Sequence, residues 1–210
     1  LMSFGLVKHN NNSISAITSP GQLAQGKMTL IKEQTASSSS SISFVDGSSS
    51  VVLDSTYPIY MFKFINIHPQ TDDKRFRFQG SIDGGSNYNV SITSTTFRAY
   101  HDEGNSATAL EYRTPDDQAN GTSYQKLTNP LGNDNDQSGN GEIFIFSPSS
   151  TVFVKHFISR AVSSFYADYV MDDFVAGYFN TTSALNAFSF NMESGNIDSG
   201  TIKLYGIKGS

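Results

Sequence analysis

The chain has 210 residues, 37% hydrophobic and only 16% charged, with 16 Phe and 10 Tyr carrying much of the apolar mass. That balance favours strands over long helices and suits a single domain with a real core. The absence of Cys excludes disulfides, thiol nucleophiles and Cys-ligated metal centres, and a net charge of −5 with only 14 Lys and Arg argues against a nucleic-acid surface.

Residues 1–40 read as an N-terminal attachment arm and residues 41–210 as a folded body. The arm mixes a polar run, Asn10-Asn11-Asn12-Ser13, with Pro20-Gly21 and one apolar stretch, Met28-Thr29-Leu30-Ile31, enough for at most one strand. Ser37 to Ser41 then read as a flexible linker. Leu1 to Gly5 lack the basic-then-apolar pattern of a secretion signal, and no stretch reaches the roughly 18 apolar residues that cross a bilayer, so no membrane partner is expected.

From Ser41 onward, short apolar or alternating segments are separated by Gly, Asn, Asp and Pro clusters. Strands are expected at 41–45, 51–53, 59–67, 75–82, 88–100, 142–146, 151–159, 169–179, 186–192 and 200–207. About eight to ten short strands at this spacing predict an all-β fold, an antiparallel, jelly-roll-like β-sandwich. Tyr60, Phe62 and Phe64 fall on one face of their strand, and Met61, Lys63, Ile65 and Ile67 on the other, which predicts a central strand. Phe76 and Phe78 point inward while Arg75, Arg77 and Gln79 point to solvent or an interface. Asp83-Gly84-Gly85 then supplies a tight turn, so 75–82 and 88–92 read as a hairpin. One short helix at most is allowed, over 159–169.

Residues with chemical potential are few. His9, His68, His101 and His156 show no metal-ligand spacing, and His156 reads as a hydrogen-bonded core-margin residue. The pairs Asp102-Glu103, Asp116-Asp117 and Asp172-Asp173 raise glycoside hydrolysis, but neighbours on a strand face opposite ways and read more simply as solvated loop acids. No catalytic residues are assigned. The loop Asp134-Asn135-Asp136-Gln137-Ser138-Gly139-Asn140-Gly141-Glu142 copies the start of a calcium-binding loop, with Asp134, Asp136, Ser138, Asn140 and Glu142 as candidate ligands. Ile145 stands where the closing bidentate Glu belongs, so any Ca²⁺ would need completion from another loop.

Several strings together give the chain a resemblance. They are Leu53-Asp54-Ser55-Thr56-Tyr57, Asn66-Ile67-His68-Pro69, the run from Phe78 to Tyr88, Phe153-Val154-Lys155-His156-Phe157, Gly177-Tyr178-Phe179-Asn180, and the C-terminal run from Gly195 through Gly200-Thr201-Ile202-Lys203-Leu204-Tyr205-Gly206-Ile207. On these residues the chain resembles a family of small virion proteins of tailed bacteriophages, marine ones above all. The resemblance implies a component of the capsid surface or tail fibre, with other virion proteins and identical subunits, commonly in a homotrimer, as partners. It implies no catalytic residues. The expected function is a non-enzymatic virion structural protein anchored through its N-terminal arm. The alternative is a receptor- or carbohydrate-binding adhesin that meets host surface glycan, with calcium assistance from the Asp134–Glu142 loop.

Overall fold

A computed structural model describes residues 28–208, and these form an all-β sandwich with no helix among them. Twelve strands follow in chain order: β1 (Met28–Ser39), β2 (Ile42–Val45), β3 (Ile59–Pro69), β4 (Phe76–Ser81), β5 (Ile92–Asp102), β6 (Thr108–Tyr112), β7 (Gln125–Lys126), β8 (Gly139–Phe146), β9 (Lys155–Phe165), β10 (Tyr169–Phe179), β11 (Ala187–Met192) and β12 (Ile197–Ile207). A wide sheet has the order β1-β12-β3-β8-β9-β10-β5-β6, and a narrow one β2-β11-β4-β7. Every pairing is antiparallel. Among these elements only the β5–β6, β8–β9 and β9–β10 connections stay within one sheet, so the chain winds back and forth across the core.

The core between the sheets is aromatic. Phe44, Phe76, Phe78, Phe188 and Phe190 from the narrow sheet meet Phe62, Phe64, Phe157 and Phe179 from the wide one, all essentially without solvent contact. Their edge-to-face and offset geometries, such as Phe62–Phe190 at 5.1 Å and Phe78–Phe157 at 5.0 Å between centroids, suit the ring quadrupoles. In β3 the expected face of Tyr60, Phe62 and Phe64 is the core face, but Ile67 is buried with them. A bulge explains this: Asn66 takes a positive φ of 52°, the β3–β8 register shifts after Phe64, and the following side chain crosses to the other face. Gly200 on β12 lies against the bulge at φ +126°, where an added Cβ would sit 2.7 Å from the Asn66 carbonyl oxygen.

Several sequence expectations are corrected. The sandwich has twelve described strands rather than eight to ten, because β1, β6 and β7 add to those expected, while Val51 and Leu53 are buried without forming a strand. The expected arm, 1–40, is divided: residues 1–27 and His9 with them lie outside the described residues, whereas Met28–Ser39 is an edge strand paired along β12. Ser37 and Ser39 therefore belong to a ladder, not a linker. The expected hairpin does not form, since β4 joins the narrow sheet and β5 the wide one. The expected short helix is the β9–β10 hairpin, turned at Asp168 with φ 63°. Gln79 points away from the aromatic core but is buried under loops, its Nε2 donating to the carbonyls of Val90, Thr122 and Ser123 at 3.0–3.2 Å.

The narrow sheet does not reach across the wide one. Arg113 to Ser138, the connection carrying β7, covers the inner face of β5 and β10 instead. It sends Leu127 and Leu131 into the hydrophobic core and buries four polar residues beside them, Asp116, Gln125, Thr128 and Asn129. Asp116 pairs with Arg75, Arg113 and Lys126 at 3.1–3.4 Å, and these cations hold its carboxyl below the usual range against the opposing effect of burial, the largest single influence. Asp173 of β10 accepts from the Asn129 backbone N–H at 2.8 Å and from the Asn129 side-chain amide, whose oxygen in turn accepts from Arg98. The body thus has an aromatic core between the sheets and, beside it under the loop, a layer of buried polar groups.

Candidate functional site

The outer face of the wide sheet is open, and its sequence pattern is unusual for a solvent face. Along β9, Phe157, Ala161 and Ser163 point inward, while His156, Ile158, Arg160 and Val162 point outward and are exposed. The ladder pairings then place outward residues in rows across the sheet. One row runs Leu30, Tyr205, Met61, Phe144, Ile158. The next is charged: Glu33, Lys203, Lys63, Glu142, Arg160. Val162, Asp172, Ala99 and Leu110 form a third.

The charged row is paired, twice within itself and once with Asp172 of the row beside it. Lys203 meets Glu33 at 3.0 Å, Lys63 meets Glu142 at 3.7 Å, and Arg160 grips Asp172 with Nε at 3.0 Å and Nη2 at 2.7 Å. The hydrogen bond to Glu33 raises the Lys203 pKa, and that to Asp172 raises the Arg160 pKa. The Arg160 guanidinium also lies 4.9 Å above the Phe174 ring, and Phe174 stacks on Phe97 at 4.7 Å and 4°. At the surface such pairs add little stability. Their effect here is to fix the side chains that border an apolar floor.

That floor is a groove of about 1040 Å³. Ile65 of β3 and Leu110 of β6 both line it although four strands separate them, so the sheet curls around its own outer face. Val162 and Val170 lie between them, with Lys63, Glu142, Arg160, Asp172 and His101 at the polar margins. A smaller depression beside it, lined by Thr95, Ile158, Ala176, Gly177 and Tyr178, includes His156. His156 is therefore an exposed residue of this face, its ring 5.9 Å from Tyr178, and not a core-margin histidine.

The candidate calcium ligands do not come together around one point. Asp134, Asp136, Ser138 and Asn140 border a polar cleft of about 510 Å³ that also receives Glu103 and Asp168. Yet the Asp134 carbonyl accepts from the Gln137 N–H at 2.9 Å, and the Ser138 carbonyl accepts from the Ser164 N–H at 3.1 Å. Asn140 Oδ1 accepts from the Asn66 N–H at 2.8 Å, closing the β3 bulge. Glu142 belongs to strand β8 and faces Lys63 on the outer sheet face. Among the described residues no group of three or more His, Asp or Glu is placed to hold a metal ion. A loop pattern of oxygen ligands has been used for backbone capping and a strand start.

The paired acids are separated or committed. Asp172 faces outward to Arg160, whereas Asp173 is buried on the opposite face, as strand alternation requires. Asp102 organises the β5–β6 turn by accepting from Ser106 and Ala107, and these bonds depress its pKa. Asp116 is buried among cations, and Asp117 accepts from the Tyr112 hydroxyl. His68 Nε2 lies 3.2 Å from the Asp134 carbonyl at the end of β3.

No family model matches the chain, and no curated protein or solved structure is significantly similar to it. The groove and its charged row are thus read on their own geometry. Sequence reasoning missed Arg160, Val162 and Leu110, residues that shape it, and read Asp172 only as one of a pair of solvated loop acids. The signal was present in the alternation His156, Ile158, Arg160, Val162, which continues past the strand end expected at Ser159.

Proposed function

We propose that this chain is a non-enzymatic structural protein on the surface of a bacteriophage particle, attached through its N-terminal residues and making its contacts with other virion proteins through the outer face of the wide sheet. The observation that carries the contact surface is the apolar floor of Ile65, Leu110, Val162 and Val170 on a face that packs against nothing in the described chain. Open apolar patches rimmed by charge are typical of protein contact surfaces. The phage assignment itself is supported by the resemblance in the Leu53–Tyr57, Phe78–Tyr88 and Gly195–Ile207 strings.

Val162→Glu tests the contact. It adds an anion beside Asp172 on the floor without touching the aromatic core. Its melting temperature should stay within about 2 °C of wild type, as for most surface substitutions, while its amount in purified particles falls about tenfold or more. Undiminished incorporation would contradict the reading.

A second reading, a receptor- or carbohydrate-binding adhesin, is favoured by the size of the groove and by the donors and acceptors that Arg160, Asp172 and His101 place along its margin. On that reading the same variant incorporates normally and loses binding to host surface glycan. One substitution therefore separates the two.

A further inference from the structure

The far edge of the wide sheet carries an observation that stands apart from the phage reading. The β5–β6 register is unbroken, and two backbone hydrogen bonds set its phase: the Arg113 N–H donates to the Thr96 carbonyl at 2.8 Å, and the Asp102 N–H to the Ala107 carbonyl at 3.0 Å. In an antiparallel ladder, bonded and non-bonded pairs alternate. Glu111 and Ala109 therefore turn their peptide groups toward β5. Thr108, Leu110 and Tyr112 turn theirs outward, with no neighbouring strand among the described residues to receive them. Leu110 is 73% exposed and Tyr112 55%, so the apolar side chains and the free peptide groups belong to the same residues.

Edge strands are usually blunted by Lys, Pro, bulges or irregular backbone. The opposite edge follows that rule, for β1 is bulged between Leu30 and Lys32, carries Lys32 and Glu33, and has Ser38 at φ 49°. Strand β6 has no Lys, Pro, bulge or positive φ, and its one charge, Glu111, is neutralised by Arg98 and Arg113.

We propose that β6 pairs with β6 of a second copy of this chain about a two-fold axis at Leu110. The free positions are symmetric about that residue. Leu110 of one copy falls opposite Leu110 of the partner subunit, and Thr108 opposite Tyr112 of the partner subunit, so every outward peptide group meets its complement in a bonded pair. The charges are compatible. The outward row Thr108, Leu110, Tyr112 is uncharged, and on the inner side Ala109 meets Glu111 of the partner subunit, while each chain's own Glu111 is held by Arg98 at 2.7 Å and Arg113 at 3.3 Å. The two grooves then join into one continuous face. This pairing is two-fold, in place of the homotrimer that the resemblance implies.

The absence of Cys makes a direct test available. Residues opposite each other in a bonded antiparallel pair have Cα atoms about 5.5 Å apart, within the range a disulfide spans. Leu110→Cys in the full chain should give covalent dimer under mild oxidation at least about tenfold faster than His156→Cys, an exposed control three strands away. Equal rates would overturn the proposal. Leu110→Pro provides a second arm, because the Leu110 N–H has no acceptor among the described residues and Pro is tolerated on such an edge. By sedimentation at about 100 µM the wild type should be dimeric and the folded Pro variant monomeric. A monomeric or trimeric wild type, or a dimeric Pro variant, would refute the pairing. Should the Pro variant not fold, the cysteine comparison decides.

Discussion

Phe190→Ala is expected to destabilise the protein by about 4 kcal/mol, high among single substitutions, because it removes the ring on which both sheets converge. Phe190 has no solvent exposure and touches four rings: Phe62 at 5.1 Å, Phe76 at 5.7 Å, and Phe44 and Phe78 at 6.3 Å. Two of these contacts are stacked and two are edge-on or tilted, so no single neighbour can move into the space without losing another. The cost combines lost transfer free energy with an unfilled cavity. Urea unfolding should show a lower midpoint with an unchanged slope. A loss below about 1.5 kcal/mol would mean that the rings repack and that the core is less tightly specified than its geometry indicates.

The second large effect concerns pH. Burial pushes the Asp173 carboxyl up to about 7, against the hydrogen bonds from Asn129 and the more distant charge of Arg98, while Asp116 adds to the rise. The folded value lies above the unfolded 3.8, so the folded state holds this proton through the intervening range. The contribution to stability is fully present below about pH 4 and is lost as pH rises through 7, in total on the order of 4 kcal/mol. Asp116, Asp54 and Asp83, whose carboxyls are depressed, act the other way but below pH 4. Between pH 4.5 and 7.5 the wild type should therefore weaken, and Asp173→Asn, which cannot ionise, should stay nearly level. A wild-type profile that is flat or rising over this window would contradict the account.

Much of the fold was legible because the alternation of apolar residues is strong wherever a strand contributes to the aromatic core. The segment 169–179 matches β10 residue for residue, and Phe76 and Phe78 point inward as read. Strand pairing was less accessible. Asp83-Gly84-Gly85 makes a turn, but the chain beyond it runs over the narrow sheet before Ile92 enters the wide one, and nothing local distinguishes that path from a hairpin. Strand β1 was hidden by its serines, which have low strand propensity but need only backbone groups to pair with β12. Strand β6 was hidden by its brevity.

The open outer face was less legible still. An outward Ile158 or Val162 looks the same in sequence as an inward one, and the expected helix over 159–169 broke the alternation that would have placed Arg160 between them. The charged row depends on registers across β1, β12, β3, β8 and β9, which no single segment contains. The acidic loop misled for the opposite reason. Its spacing is local and suggestive, but Asn140 and Glu142 are drawn into the ladder by Asn66 and Lys63 from another strand.

The most direct measurement is immunogold labelling of intact bacteriophage particles with antibody raised against the purified chain. Gold is expected at regular positions on the particle surface, over the capsid or along the tail. Label that appears only on disrupted particles, or only on host debris, would contradict it.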